Sequence, residues 1–293
     1  MTTISVVTGA NSGIGRATAI HLAAQGHTVY GTVRSLDKAA KLHAMAEAAG
    51  VEVQLVELDV ADDQSVRDGF AQILDRTGGV VDVLVNNAGV GGNATAEEAS
   101  AAMHLEVMNI NLCGGVRCTQ EVLPGMRERG RGAIVNITSV VGRIAALAQS
   151  PYVTSKWAFE GWSEQLAQEV APFGVRVAIV EPGVTKSAIF AKNIDTPHLT
   201  GAYDAAYRRM FQMYAAGIAH ATDPFEVAAI IHHAVTTDNP ALRYAVSWGA
   251  KELIGGRAAM SDQEWVAMGL AATDDEYYDA FQRSFGLDLR DLG

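Results

Sequence analysis

The sequence predicts an α/β chain: a doubly wound, mostly parallel, seven-stranded sheet in a single domain, followed by a helical C-terminal extension. Three observations carry that prediction. Short apolar, β-branched runs alternate with helical stretches along most of the chain. The runs are continuously apolar, the pattern of strands covered by helices on both faces. No repeat, linker or low-complexity segment divides the 293 residues, a length that one core and an extension can bury.

The elements follow in order. Residues 3–8 (TISVVT) form the first strand. A helix over 14–25 opens on glycines and closes at Gly26. A second strand at 28–33, a helix at 36–49 and a third strand at 51–58 come next. Asp62 caps a helix reaching Thr77, and 80–85 is the fourth strand. One long helix is predicted over 101–128, then a strand at 133–138, a helix at 151–171 and a sixth strand at 175–180. After Glu181 the alternation breaks. Loop and helix run to Asp223, a helix spans 224–236, a last strand spans 242–248, and an acidic helical tail follows.

Composition narrows the function. Hydrophobic residues at 49% and charged residues at 19% exclude a disordered chain. Lys and Arg number 22 against 33 Asp and Glu, a formal charge of −11. That argues against nucleic acid and anionic membranes as partners, since both demand basic patches. No apolar run is long enough to span a bilayer, and the N-terminus lacks a signal-like pattern, so a cytoplasmic protein is expected. Cys113 and Cys118 match neither a redox pair nor zinc-ligand spacing. His232 and His233 have no acidic or cysteine partners at ligand spacing, so no metal is expected.

The first strand–helix junction reads Thr8-Gly9-Ala10-Asn11-Ser12-Gly13-Ile14-Gly15. Glycines there permit a tight turn, close approach of backbone to a pyrophosphate, and tight helix–strand packing. The helix N-terminus adds free N–H groups and a positive dipole end.

This Gly-x-x-x-Gly-x-Gly spacing resembles the short-chain dehydrogenase/reductase family, and the family's other motifs follow in order. Asp59-Val60 follows the third strand, Asn86-Asn87-Ala88-Gly89 the fourth, and Asn111 lies in the next helix. Ser139 follows the fifth strand, Tyr152-Val153-Thr154-Ser155-Lys156 opens the next helix, and Pro182-Gly183-Val184 follows the sixth. The resemblance implies a Rossmann-type dinucleotide-binding and catalytic domain over 1–250, a substrate-covering segment within it at 186–222, and an extension over 251–293. It implies cofactor contacts from Gly9, Asn11, Ser12, Gly13, Ile14, Gly15, Asp59, Val60, Asn87, Ala88, Gly89, Pro182, Gly183 and Val184. Where the family usually has threonine, this chain has Ser187, with Thr185 as an alternative. The resemblance also implies pairing through the helices carrying Asn111 and Tyr152, as a homodimer or homotetramer.

Tyr152 and Lys156 are four apart and share a helix face. A free tyrosine titrates near pH ~10, too high for neutral acid–base work. A nearby ammonium and an oxidised nicotinamide ring both favour the phenolate. By resemblance, Tyr152 exchanges a proton with the substrate oxygen and Ser139 hydrogen-bonds that oxygen. Lys156 lowers the tyrosine's pKa and holds the nicotinamide ribose, and Asn111 holds a water linking Lys156 to solvent. Such a set implies hydride transfer between a nicotinamide and a secondary alcohol or ketone. The other reading is a non-catalytic dinucleotide-binding sensor, which has no need of Asn111, Ser139, Tyr152 and Lys156 together. A biosynthetic ketoreductase with a different substrate is a further variant.

The end of the second strand, Gly31-Thr32-Val33-Arg34-Ser35, selects the cofactor. An acidic residue would bind a ribose 2′-hydroxyl; here Arg34 follows Val33, and a guanidinium suits a 2′-phosphate. NADP(H) is therefore favoured over NAD(H). On the substrate side, Tyr203, Tyr207, Phe211 and Tyr214 fall on one helical face, with Phe190 near the mouth of the cleft. They suggest contact with a bulky apolar substrate, or else simple packing. Of the 20 aromatic residues, 13 lie after residue 186. The Gly-Thr-x-Arg stretch and Leu242-Arg243-Tyr244 loosely resemble the branch of the family that handles steroids and retinoids.

Overall fold

Strand β1 (Ile4–Val7) lies at the middle of the sheet, pairing β2 (Thr28–Val33) on one side and β4 (Val83–Asn86) on the other. Val6 and Val7 are fully buried on opposite faces, as their continuous apolar sequence requires. The computed structural model describes residues 2–187 and 196–293. With β3 (Gln54–Glu57), β5 (Gly132–Ile137), β6 (Val175–Pro182) and β7 (Arg243–Val246), the strands form one seven-stranded sheet in the order β3-β2-β1-β4-β5-β6-β7. Every pairing is parallel. The predicted doubly wound sheet is therefore present.

Helices cover both faces. On one, α1 (Gly13–Ala24), α2 (Ala40–Ala48) and α8 (Pro224–Thr236) pack on Val7, Val29, Val85, Val135 and Val180. On the other, α3 (Asp63–Thr77), α5 (Gly114–Arg129) and α6 (Ser150–Val170) enclose Phe70, Ile73, Met126 and Ile134. Helix α3 begins as its sequence dictates: the Asp62 carboxylate accepts from Ser65 N at 2.7 Å. It ends where Gly78 takes a left-handed conformation at φ 63°.

The long helix predicted over 101–128 is not continuous. Helix α4 (Ala101–Met108) and α5 are joined by a π-helical turn over Asn109–Cys113. Close packing accompanies that widening. A Cβ on Gly114 would come within 2.9 Å of Val60, and one on Gly115 within 2.7 Å of the Phe159 ring. The helix predicted at 36–49 also divides, into a 3₁₀ turn over Leu36–Lys38 and α2.

Beyond β6, α7 (Asp204–Ala219) leads to α8 and β7. The tail then forms α9 (Ala250–Ala259), α10 (Asp262–Met268) and α11 (Asp274–Phe285). These helices bury Leu253, Tyr277, Phe281 and Phe285 against Val140, Val141 and Ile144, beside the carboxyl ends of β5 and β6.

Candidate active site

At the carboxyl ends of the strands lies a cavity of about 440 Å³. The first strand–helix turn walls one end with Gly9, Asn11, Ser12, Gly13 and Ile14. Gly9 and Gly13 sit at φ 66° and 51°, a region that favours glycine. A Cβ on Gly13 would crowd Ser187 at 3.1 Å, and one on Gly9 would crowd Ala88 at 3.0 Å. The Ser12 side chain makes no capping bond, so it leaves the first N–H groups of α1 without a side-chain partner. A glycine-formed cradle at a helix N-terminus without a side-chain cap fits a dinucleotide pyrophosphate. Gly15 differs from its neighbours: it is not part of the cavity wall, and a Cβ there would overlap the Gly9 carbonyl and the Asn87 amide. Its place is a packing one, between the Gly9 carbonyl and the Asn87 side chain.

Thr8 ties this turn to the next. Its hydroxyl oxygen accepts from the backbone N–H of Asn87 and of Ala88, both at 3.0 Å. Asn87 in turn donates to the Thr8 carbonyl at 2.8 Å. Asn87, Ala88 and Gly89 thereby join the cavity wall, as do Asp59 and Val60. Asp59 holds its own turn by accepting from Ala61 N at 3.0 Å. Arg34 is exposed at this end of the cavity, and among the described residues its guanidinium has no ion-pair partner. Pro182, Gly183, Val184, Thr185 and Ser187 line the opposite side. The Thr185 hydroxyl already pairs with Ser247 at 2.8 Å.

The catalytic candidates converge where β5 meets α6. Lys156 is 4% exposed, and its ammonium donates to the Ile137 carbonyl at 2.9 Å. It lies 5.6 Å from the centre of the Tyr152 ring. Burial lowers the Lys156 pKa from its ordinary value to about 8, with Glu160 pulling it back up. Burial raises Tyr152, and a hydrogen bond with Ser139 opposes that rise. The protein's own groups thus leave the phenol above its ordinary value. Ser139 Oγ accepts from Val141 N at 3.3 Å and donates to the Pro182 carbonyl over a long 3.4 Å.

Asn111 sits in the π-helical turn. Its oxygen accepts from Val90 N at 2.8 Å. Its amide donates to the Val90 carbonyl and to Ser155 Oγ, both at 2.9 Å. Ser155 donates to the Tyr152 carbonyl at 2.7 Å. Asn111 therefore links the segment after β4 to the first turn of α6.

The aromatic stripe on the substrate side divides between packing and the cavity. Tyr207 is 1% exposed; its hydroxyl donates to Glu98 at 2.6 Å and accepts from Thr95 N at 3.2 Å. Tyr203 donates to Glu97. Phe211 packs edge-on to Tyr214. The stripe packs α7 onto the segment after β4, because hydroxyls placed beside Glu97 and Glu98 find partners there. Among the described residues of α7, Met213 and Tyr214 in its middle line the cavity. Phe190 lies outside the described residues.

Residues absent from the sequence reading also meet here. Tyr152, Lys156 and Glu160 continue one helical face, and Glu160 Oε1 accepts from Thr138 at 2.5 Å. Arg243 donates to Glu160 and Glu164 at 3.1 and 2.7 Å, while Arg143 pairs with Glu181 at 3.0 Å. The four-residue spacing was a visible signal for Glu160. Gln149 also joins the wall, with no sequence signal to mark it.

The family model described as short chain dehydrogenase matches residues 3–197. The chain belongs to the short-chain dehydrogenase/reductase family. It is an oxidoreductase acting on alcohol or ketone groups. This dehydrogenase is 37% identical over 246 residues to 3-ketodihydrosphingosine reductase of Bacteroides thetaiotaomicron, covering 83% of this chain and 87% of that one. It is 36% identical over 257 residues to 17-beta-hydroxysteroid dehydrogenase type 1 of Mus musculus, covering 83% and 73%. A solved structure of an actinorhodin polyketide ketoreductase variant with NADPH superposes with a TM-score of 0.71 at 31% identity, covering 83% and 95%. No helix among the described residues is long and apolar enough to cross a membrane. Nor do those residues hold a metal-binding cluster.

Proposed function

We propose that the chain transfers a hydride between NADP(H) and a bulky, largely apolar secondary alcohol or ketone, with Tyr152 as the acid–base group. One observation carries this reading: Ser139, Tyr152 and Lys156 face the same cavity as the glycine turn and Arg34. When bound, NADPH supplies the hydride to the substrate carbon. The chain's residues do the rest. The substrate oxygen lies against Ser139 and Tyr152, where Ser139 exchanges its long bond to Pro182 for one to that oxygen. In the reductive direction the Tyr152 hydroxyl gives its proton to the oxygen as negative charge develops there. The Lys156 ammonium stabilises the phenolate left behind, and the positive ring of an oxidised cofactor would add to that. Asn111 positions the turn that carries Tyr152. Both its amide hydrogens are spent, so a water linking Lys156 to solvent would be held by an oxygen of this residue.

Support for an apolar substrate comes from Met213, Leu253 and Val141 in the wall, and from relatives named for 3-ketodihydrosphingosine and a 17-beta-hydroxysteroid. Support for two copies pairing across α4 and α6 comes from Leu105 and Trp157, which are 70% and 50% exposed. A cytoplasmic setting belongs to the same reading, with Cys113 and Cys118 free.

Tyr152→Phe tests the mechanism. It should keep NADPH binding, measured by fluorescence, and lower ketone reduction by ~10²–10⁴-fold. Undiminished turnover would refute it. Arg34→Ala tests the cofactor. It should raise KM for NADPH by about tenfold or more and leave NADH use nearly unchanged, since one charge-assisted phosphate contact is lost. A wild-type enzyme that prefers NADH would overturn this assignment.

A further inference from the structure

Gln149 immediately precedes α6, three residues before Tyr152. It is 5% exposed, yet its side chain makes no capping bond and no other hydrogen bond among the described residues. It lines the main cavity, and also a second, smaller one of about 20 Å³, room for about one water. The two cavities share Val141, Gln149, Met213 and Leu253. On the smaller cavity's side the wall is mostly apolar, with Ile144, Leu147 and Trp265, and Arg209 among them. The amide is thus a polar group on a largely apolar stretch of wall between the catalytic hydroxyls and the C-terminal helices.

A buried amide needs partners. A ligand oxygen or N–H placed beside it exchanges with water at little cost, whereas an alkyl group strands it. Sites that hydrogen-bond a substrate group discriminate strongly against analogues lacking that group. We propose that Gln149 is a specificity-determining residue that hydrogen-bonds a second polar group of the substrate, set back from the reacting carbonyl. This rests on the ketone–alcohol reading of the same site. The preferred substrate is then an amphipathic ketone: a carbonyl at Tyr152, an oxygen or amide at Gln149, and an apolar end against Met213 and Leu253. Tyr214, another polar group of the cavity wall, donates to Asn93 at 2.9 Å.

The test uses ketones of one length in which a second carbonyl is moved stepwise away from the first, with the plain ketone as reference. Wild-type enzyme should favour at least one dicarbonyl by about tenfold or more in kcat/KM. In Gln149→Met and Gln149→Leu that preference should collapse to within about threefold. Their melting temperature without substrate should be equal or higher, because no bond is lost and an unpaired amide is removed. Equal kcat/KM across the series in wild-type enzyme would overturn the proposal. So would a preference that survives in both variants, or variants that melt lower and lose activity equally on every ketone. Wild-type enzyme that reduces no ketone at all would overturn the ketone reading itself and this proposal with it.

Discussion

Lys156 shows what a single functional residue costs the fold. Its ammonium is buried and meets one carbonyl at 2.9 Å. Its pKa in the folded chain is about 8, against an ordinary 10.5. Below both values each state binds the proton, and the folded state carries the cost of a buried charge. Between them the unfolded chain binds the proton and the folded chain does not, so stability rises with pH through that window. Lys156→Met should therefore abolish turnover yet melt above wild type at pH 7, by at most roughly 3 kcal/mol. The difference should shrink as pH climbs from about 8 to 10.5. Melting curves across that range decide it; a variant that melts lower at pH 7, or a gap indifferent to pH, contradicts the account. The pairing of Tyr152 with Lys156 was legible because helical spacing alone puts them on one face. The lowered lysine pKa was not, since it comes from burial by other elements, against the opposing pull of Glu160. Nor was Gln149: what marks it is the absence of partners, and partners come from other elements.

At the scale of elements, strand positions were legible and helix continuity was not. Strands β1, β2 and β5 announce themselves by runs of Val and Ile. The π-helical turn at Asn109–Cys113 has no such local signal. It is set by what packs across it: Asn111 bonds to Val90 and Ser155, and Gly114 and Gly115 let α5 approach Val60 and Phe159. π-Turns recur at functional sites because the extra residue redirects a side chain or carbonyl. The Asn86-Asn87 motif likewise divides its labour. Asn87 secures the glycine turn through Thr8. Asn86 is structural: it donates to Thr119 and to Asn136 at 3.0 and 2.9 Å, and Asn136 donates to Ser163 at 2.8 Å. This buried ladder crosses β4 and β5 to α6, fixing the helix that carries Tyr152 relative to the sheet.

Across the whole molecule, the concentration of aromatics late in the chain has a structural explanation. Tyr277, Tyr278, Phe281 and Phe285 cluster along α11 in edge-on and tilted pairs, with paired ring centres 4.6–6.1 Å apart. They hold the tail against the catalytic edge, alongside Val141 and Tyr152. One polar anchor closes the arrangement. Arg209 on α7 is 6% exposed, donates to the carbonyls of Ala271 and Thr273 at 3.0 Å, and pairs with Asp274 at 2.9 Å. Its guanidinium lies 4.7 Å from the centre of the Tyr277 ring. Arg209→Met preserves bulk but leaves the Ala271 and Thr273 carbonyls without their donor and Asp274 with Arg208 alone, at a cost of roughly 3 kcal/mol. The dinucleotide end of the cavity is built from β1, β2 and β4 and touches none of these residues. The variant should therefore melt several degrees lower and show a raised KM for bulky ketones, while its Kd for NADPH stays within about twofold of wild type, as expected for independent sites. Weakened NADPH binding of the same size as the change in KM would show that the two halves of the molecule are not separable in this way.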